Sequence, residues 1–170
     1  MTIRRLTPAD ASAYREIRLE ALQAHPEAFS SSYEEEVERS LAFFEERLRS
    51  EQVYTFGSFA EDQLQGTVTL LPESKSKIKH KAHLVAMFVR PAARRSGVGR
   101  GLLSAAISQA RALGGIERVY LGVTATNVPA RRLYEALGFQ SYGLDKRGMK
   151  IGDRYLDEEL MVLELDRVLE

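Results

Sequence analysis

Val89-Arg90-Pro91-Ala92-Ala93-Arg94-Arg95-Ser96-Gly97-Val98-Gly99-Arg100-Gly101-Leu102 joins an apolar strand to an amphipathic helix through a loop of arginines and glycines. The strand pattern runs from His83 to Val89 and stops at Arg90-Pro91, where proline removes a ladder donor. After it, Val98, Leu102, Leu103, Ala106, Ile107, Ala110 and Leu113 recur at helical spacing until Gly114-Gly115 ends the run. The first backbone N–H groups of a helix lack internal partners, and the helix dipole adds partial positive charge there. A phosphate fits such an end. In this reading Gly97, Gly99 and Gly101 remove the Cβ atoms that would hold a diphosphate off the backbone. Arg94, Arg95 and Arg100 supply charge-assisted donors.

Two other phosphate motifs do not fit. A Walker loop needs Gly-Lys-Ser/Thr after its glycines, and that tripeptide is absent. A dinucleotide fingerprint needs its third glycine one place later, at Leu102, and an acid after the next strand, whereas Glu117 precedes that strand.

Working outward, Ile3 to Leu6 reads as a first strand, and Thr7-Pro8-Ala9-Asp10 starts a helix that ends at His25-Pro26. Glu34 to Arg49 reads as one second helix with Val37, Leu41, Phe44 and Leu48 along its inner side. Val53 to Ala60 and Gly66 to Leu71 form a hairpin, and Lys75 to Lys81 is a solvated basic connection. The run His83 to Val89 is apolar enough to be covered on both faces. Arg118 to Thr124 is a strand, Val128 to Leu137 a short helix, Gln140 to Leu144 a strand, and Tyr155 to Leu165 a last strand. The order implies one α/β domain, residues 1–170, with a mixed sheet and helices on both faces.

Composition narrows the function. Lys+Arg and Asp+Glu both number 24, which argues against bulk electrostatic binding of nucleic acid or membrane. The chain has no Cys, so a disulfide scaffold, a thiolate metal site and a Cys nucleophile are excluded. His25, His80 and His83 are not at metal-binding spacing, so no metal is expected. Met1 to Pro8 lacks the apolar core of a signal peptide and no run is long enough to span a bilayer, so the expected location is the cytoplasm.

The segment Arg94-Arg95-Ser96-Gly97-Val98-Gly99 resembles the acetyl-CoA motif Q/R-x-x-G-x-G/A of the GNAT superfamily of N-acetyltransferases. Asn127, Ala130, Tyr134 and Leu137-Gly138-Phe139 resemble a second motif of that family, at its usual separation from the first. The resemblance in element order covers nearly the whole chain. It implies a mixed, mostly antiparallel sheet of about six or seven strands, splayed between two parallel central strands. Acetyl-CoA would lie in the split as a co-substrate. It would be held by Met87, Phe88 and Val89 at the strand end, by the run Arg94 to Gly101, and by Asn127, Ala130 and Tyr134.

The implied chemistry is direct attack of a primary amine on the acetyl thioester. That reaction needs a proton acceptor for the amine, donors at the developing oxyanion, and an acid for the departing thiolate. The resemblance gives the acid role to Tyr134 and makes the Val89 N–H an oxyanion donor. It gives His83 the place where one branch of the family has a Glu base. On a regular strand His83, Val85, Met87 and Val89 would share one face, and imidazole has a reference pKa of roughly 6.5, suited to a base near neutral pH. A water chain is the alternative. Phe29, Tyr33, Glu34, Tyr155 and Asp157 are expected to wall the acceptor side. The acceptor is expected to be a small or amino-acid-like amine. A protein N-terminus or lysine, and a non-catalytic acyl-CoA sensor, stay open as alternatives, as does a homodimer.

Overall fold

The first strand and the hairpin are where the β-branched and aromatic runs place them. In a computed structural model that describes residues 1–165, β1 (Thr2–Arg5) pairs antiparallel with β2 (Tyr54–Ala60), and β2 with β3 (Gln63–Pro72). Glu61 and Asp62 make the two-residue turn with φ of 50° and 63°, the primed geometry whose twist matches the flanking strands. β4 (Lys81–Val89), β5 (Arg118–Thr124), β6 (Gln140–Ile151) and β7 (Arg154–Glu164) complete a seven-stranded sheet of order β1-β2-β3-β4-β5-β7-β6. The parallel pair is β4 with β5, so the sheet is mixed and mostly antiparallel, as expected.

Helices cover the sheet on both faces. On one face α1 (Ala11–Ala24) and α3 (Leu41–Arg49) bury Tyr14, Ile17, Leu22, Phe44 and Leu48 against Leu64 and Phe88. On the other, α4 (Val98–Leu113) and α5 (Val128–Ala136) bury Leu102, Leu103, Ile107 and Tyr134 against Val68, Leu84, Val119 and Met161.

The expected second helix is two. Ser32 caps α2 (Tyr33–Glu36) in a reciprocal box with Glu35, and Ser40 starts α3 by accepting from the Phe43 N–H. Each serine offers the backbone a fresh start, so the chain breaks between them, and Leu41 is left 43% exposed rather than inward. The break also sets Glu36 facing inward, where it pairs with Arg18 at 2.8 Å and Arg47 at 3.4 Å. Burial opposes the charge of Glu36, but Arg18 and Arg47 outweigh it and hold the carboxyl below its usual value.

β4 departs most from the expected pattern. It is not covered on both faces, since Val85 is 40% exposed. Nor is it regular: Thr69 pairs with Val85 but Thr67 with Phe88, and Ala86 has a φ of 55°. Two residues therefore stand opposite one, a bulge that bends the strand. Alternation restarts after it. Phe88 joins the α1 core, while Met87 and Val89 pack on the α4 core with Ala82 and Leu84. His83 thus lies on the opposite face from Met87 and Val89, because the bulge inserts one residue between them.

Two of the three motif glycines serve packing. A Cβ on Gly99 would meet Met87 at 3.2 Å and Leu133 at 3.4 Å, and one on Gly101 would meet Ile3 Cδ1 at 2.4 Å. At these two positions the missing Cβ lets α4 approach β4, α5 and β1.

Two outcomes test this account. Glu36→Gln should lower stability at pH 7 by about 1–3 kcal/mol, because two part-buried guanidinium groups lose the counter-charge of a buried carboxylate. The folded pKa of Glu36 is depressed, so its contribution is present above the unfolded value of about 4.3 and is lost as pH falls through the folded one. Urea midpoints of the two proteins should therefore converge on acidification, and a gap independent of pH would contradict the charge argument. Gly101→Ala should destabilise the chain, the overpacking cost of about 1–3 kcal/mol exceeding the roughly 1 kcal/mol gained by replacing a helical glycine. Ile3→Val deletes the atom it meets. In that background Gly101→Ala should become stabilising, and thermal melts of the four proteins would show the change of sign or its absence.

Candidate functional site

β4 and β5 are paired through Lys81 with Arg118, Ala82 with Val119 and His83 with Tyr120, and not beyond. Each strand then follows its other neighbour: β4 stays on β3 as far as Val89, and β5 stays on β7 to Thr124. The result is a fork in the middle of the sheet. Along it the β5-facing edge of β4, from Leu84 to Val89, has no strand partner among the described residues. Buried backbone groups require partners, so such an edge invites an extended, amide-bearing ligand. Arg90 anchors the far end of β4: its N–H donates to Gln65, its Nη to the Leu64 carbonyl, and its Nε pairs with Glu20 of α1 at 2.9 Å.

On the α4 side of the fork, Gly97 is the helix N-cap with φ 82° and ψ 3°, a left-handed conformation for which glycine is suited. A Cβ there would meet nothing within 4 Å, so the space over the helix end is open. No side chain caps the helix, and the first N–H of the turn to find a backbone acceptor is that of Gly101, on the Gly97 carbonyl at 3.0 Å. The N–H groups of Gly97, Val98, Gly99 and Arg100 have no partner among the described residues. They form a donor set matched to an anion. Arg95, itself at φ 64°, and Arg100 are exposed beside it, whereas the Ser96 hydroxyl is turned to the Ala93 carbonyl.

Arg94 is turned the other way. Its Nε donates to the Val89 carbonyl at 3.0 Å, and one Nη lies 2.9 Å from His25 Nε2. A guanidinium only donates, so His25 accepts on Nε2 and carries its proton on Nδ1, which is 3.3 Å from Glu27. The chain Val89–Arg94–His25–Glu27 ties the glycine loop to the segment after α1.

α5 closes the same side. Asn127 caps it by accepting from the Ala130 N–H at 3.3 Å. Leu133 reaches Gly99, and Tyr134 lies buried in edge contact with Phe139 at 5.9 Å. Burial pushes the Tyr134 phenol up to about 12, so it keeps its proton across the working range of an enzyme. Its hydroxyl has no hydrogen-bond partner among the described residues. Phe88, by contrast, turns its side chain into the α1 core and offers the fork only its backbone.

The opposite face of the fork is open beyond α1. His83 and Tyr120 stand there side by side, ring centroids 5.7 Å apart, with Tyr142 edge-on to Tyr120 at 5.8 Å. The short turn Pro26–Ala28 lies against β5 and β6. Phe29 is buried beneath the Arg18 guanidinium, Tyr33 packs beside the same core, and Glu34 is exposed. Alternation along β7 sets Tyr155 and Asp157 with Met161 and Leu163, on the α4 face, and Glu158 on the open one. The Tyr155 ring is exposed with Arg147 and Lys150 against it, and Asp157 accepts from the Arg147 N–H. Glu158 rests over Gly122, where a Cβ would stand 2.8 Å from its carboxylate. Burial, and then Asp145 across the hairpin, raise its pKa. The sequence signal for Glu158 was its alternation with Leu160 and Val162 in the last strand. Among the described residues no group of His, Asp or Glu side chains could hold a metal. A broad groove bordered by Glu16, Glu20, Tyr33 and Arg39 lies along α1.

Comparison with known proteins gives the same picture. The sequence profile of the acetyltransferase (GNAT) family matches residues 15–139. The L-methionine sulfoximine/L-methionine sulfone acetyltransferase of Salmonella typhimurium strain LT2 is 31% identical over 98% of this chain and 95% of its own. The N-alpha-acetyltransferase of Sulfurisphaera tokodaii is 40% identical over 60 residues, and that match spans 36% of its length. The structure of yncA from Salmonella typhimurium, solved with its cofactor acetyl-CoA, superposes with a TM-score of 0.80 at 26% identity, over 100% of this chain and 96% of that one. With a forked mixed sheet, an uncapped glycine turn opening α4 and a family match across most of its length, this chain belongs to the GNAT family of acetyltransferases.

Proposed function

We propose that this chain transfers the acetyl group of acetyl-CoA to the primary amine of a small, amino-acid-like acceptor by direct attack. The observation that carries the reading is the row of unpartnered N–H groups at the start of α4 beside the open edge of β4. A diphosphate fits the first, and the amides of a pantetheine arm fit the second. In this role Gly97, Val98, Gly99 and Arg100 hold the phosphates through the backbone, and Arg95 and Arg100 add charge. Asn127 and Ala130 flank the arm, and Met87 and Val89 line it. The thioester of acetyl-CoA supplies the activated acyl group.

The acceptor amine approaches from the open face, between the Pro26–Ala28 turn and Glu158. His83 receives its proton there. The Val89 N–H serves as an oxyanion donor. Tyr134 offers a hydrogen bond to the departing sulfur. A phenol near 12 does not lose its proton outright to a thiol, whose ordinary pKa is about 8.5, so the contribution is a strong donor that stabilises the developing thiolate. The relative that acts on methionine sulfoximine and sulfone supports an amino-acid-like acceptor, since it aligns over nearly all of both chains.

A CoA-release assay over a panel of amines, with L-methionine sulfone, L-methionine sulfoximine and a peptide with a free N-terminal alanine, tests the reading. Turnover of the small amines is expected. Release only with the peptide would reassign the acceptor to a protein N-terminus, and acetyl-CoA binding without release on any amine would make the chain a binding module.

Two substitutions test the roles. Arg95→Ala and Arg100→Ala should each weaken acetyl-CoA by roughly tenfold or more in calorimetric titration while leaving S-acetylpantetheine unaffected. Equal losses on both ligands would mean that the arginines act on the fold. Tyr134→Phe keeps the ring and should lower kcat by about 10²-fold with acetyl-CoA affinity nearly unchanged. Full activity in that variant would remove Tyr134 from the chemistry.

A further inference from the structure

We propose that Glu73 is the positioning residue of the reaction, holding His83 in the tautomer and orientation that make it the base at the apex of the fork. The inference rests on the reading of His83 as proton acceptor and adds a residue outside both family motifs.

His83 Nε2 lies 2.9 Å from Glu73 Oε1. An ionised carboxylate can only accept, so the hydrogen of the neutral imidazole is on Nε2 and the lone pair is on Nδ1. The ring is held on a second side by Tyr120, with centroids 5.7 Å apart and planes inclined by 32°. Tyr120 is itself braced edge-on by Tyr142. Glu73 is held in turn, because its own N–H donates to the Lys81 carbonyl at 2.9 Å just past the end of β3. His83 is the last residue of β4 in register with β5, and its side chain is still 41% exposed. A base at that point can reach the cleft and return its proton to water.

The charges around the ring explain why the carboxylate matters. Lys81 and Arg118 lie 5.4 and 5.3 Å from the Tyr120 ring centre, and both disfavour an imidazolium beside it. Arg118 is offset by Glu164 of β7 at 2.7 Å. Tyr120 and Tyr142 carry no charge as phenols, and burial raises Tyr142 further. Glu73 is thus the anion in direct contact with the ring. As the amine nitrogen bonds to the acetyl carbon, its proton passes to Nδ1, and the other hydrogen stays on Nε2, donated to the Glu73 carboxylate. The carbon–sulfur bond then breaks with its electron pair on sulfur, which is protonated as CoA leaves. His83 returns its proton to solvent.

The test compares wild type, Glu73→Gln, Glu73→Asp, His83→Ala and the double variant Glu73→Gln/His83→Ala, using L-methionine sulfone as acceptor. The His83 ring is followed by NMR titration, which needs no turnover. Removal of the anion should lower the His83 pKa and carry the acidic limb of kcat/KM down by about one pH unit, with a roughly tenfold lower plateau. Glu73→Asp should restore part of both, acetyl-CoA affinity and melting temperature should hold, and the double variant should be no slower than His83→Ala. If His83 titrates identically in wild type and Glu73→Gln, the role of Glu73 is overturned while His83 stands as base. If His83→Ala leaves the acidic limb in place, the base reading fails and the proposal falls with it.

Discussion

The structure depends on a pairing that stops. β4 and β5 share three register positions and then part, and the bulge at Ala86 is the local device that bends β4 away while leaving it bonded to β3. Parallel neighbours inside a sheet ordinarily satisfy each other's backbone along their whole length. Here the unsatisfied edge is stable because both strands keep their outer partners and because both pack on the α4 core. The α1 core holds Phe88 and the α4 core holds Met87, Val89 and Leu84. The one-residue insertion therefore decides which of the strand's side chains meets which core, setting Met87 and Val89 rather than Phe88 beside Leu84.

The two sides of the fork are built from different physics. The α4 side offers fixed partial charge: uncapped N–H groups, a left-handed glycine and arginines that need not move far. On that same side Tyr134 is held protonated by burial. The open side offers titratable groups: Glu158 is raised by burial and by Asp145, and His83 is tied to Glu73. Acyl transfer needs both, since the donor must be held before charge develops and protons must move while it does. Arg94 connects the two sides, because it bonds the last carbonyl of β4 and, through His25, the segment that leads to the acceptor turn.

Much of this was legible in the residues alone. Periodicity located the strands and helices, the Gly-rich turn after Pro91 located the anion end of α4, and the spacing of Asn127, Ala130 and Tyr134 located α5. These are local properties: each follows from propensity, capping and alternation over a few residues. Three readings needed the tertiary structure. The roles of Gly99 and Gly101 are decided by Met87, Leu133 and Ile3, which are distant in sequence. The face on which His83 stands relative to Val89 is decided by the bulge, which no alternation rule registers, since Ala is a residue that seldom adopts positive φ. Tyr155 and Asp157 were the chemically attractive residues of the last strand, yet strand parity gives the open face to Glu158.

What the sequence determined by itself, then, is the order of elements and the anion-binding end of a helix, because both are written in contiguous residues. What only the folded chain decided is which side chains meet across the fork. Glu73 and His83 are ten residues apart and Tyr120 further still. Their contact is a product of strand register and of the β3–β4 connection folding back on Lys81. A register is a long-range choice, fixed by the burial of whole faces at once, and that choice is not encoded at any single position.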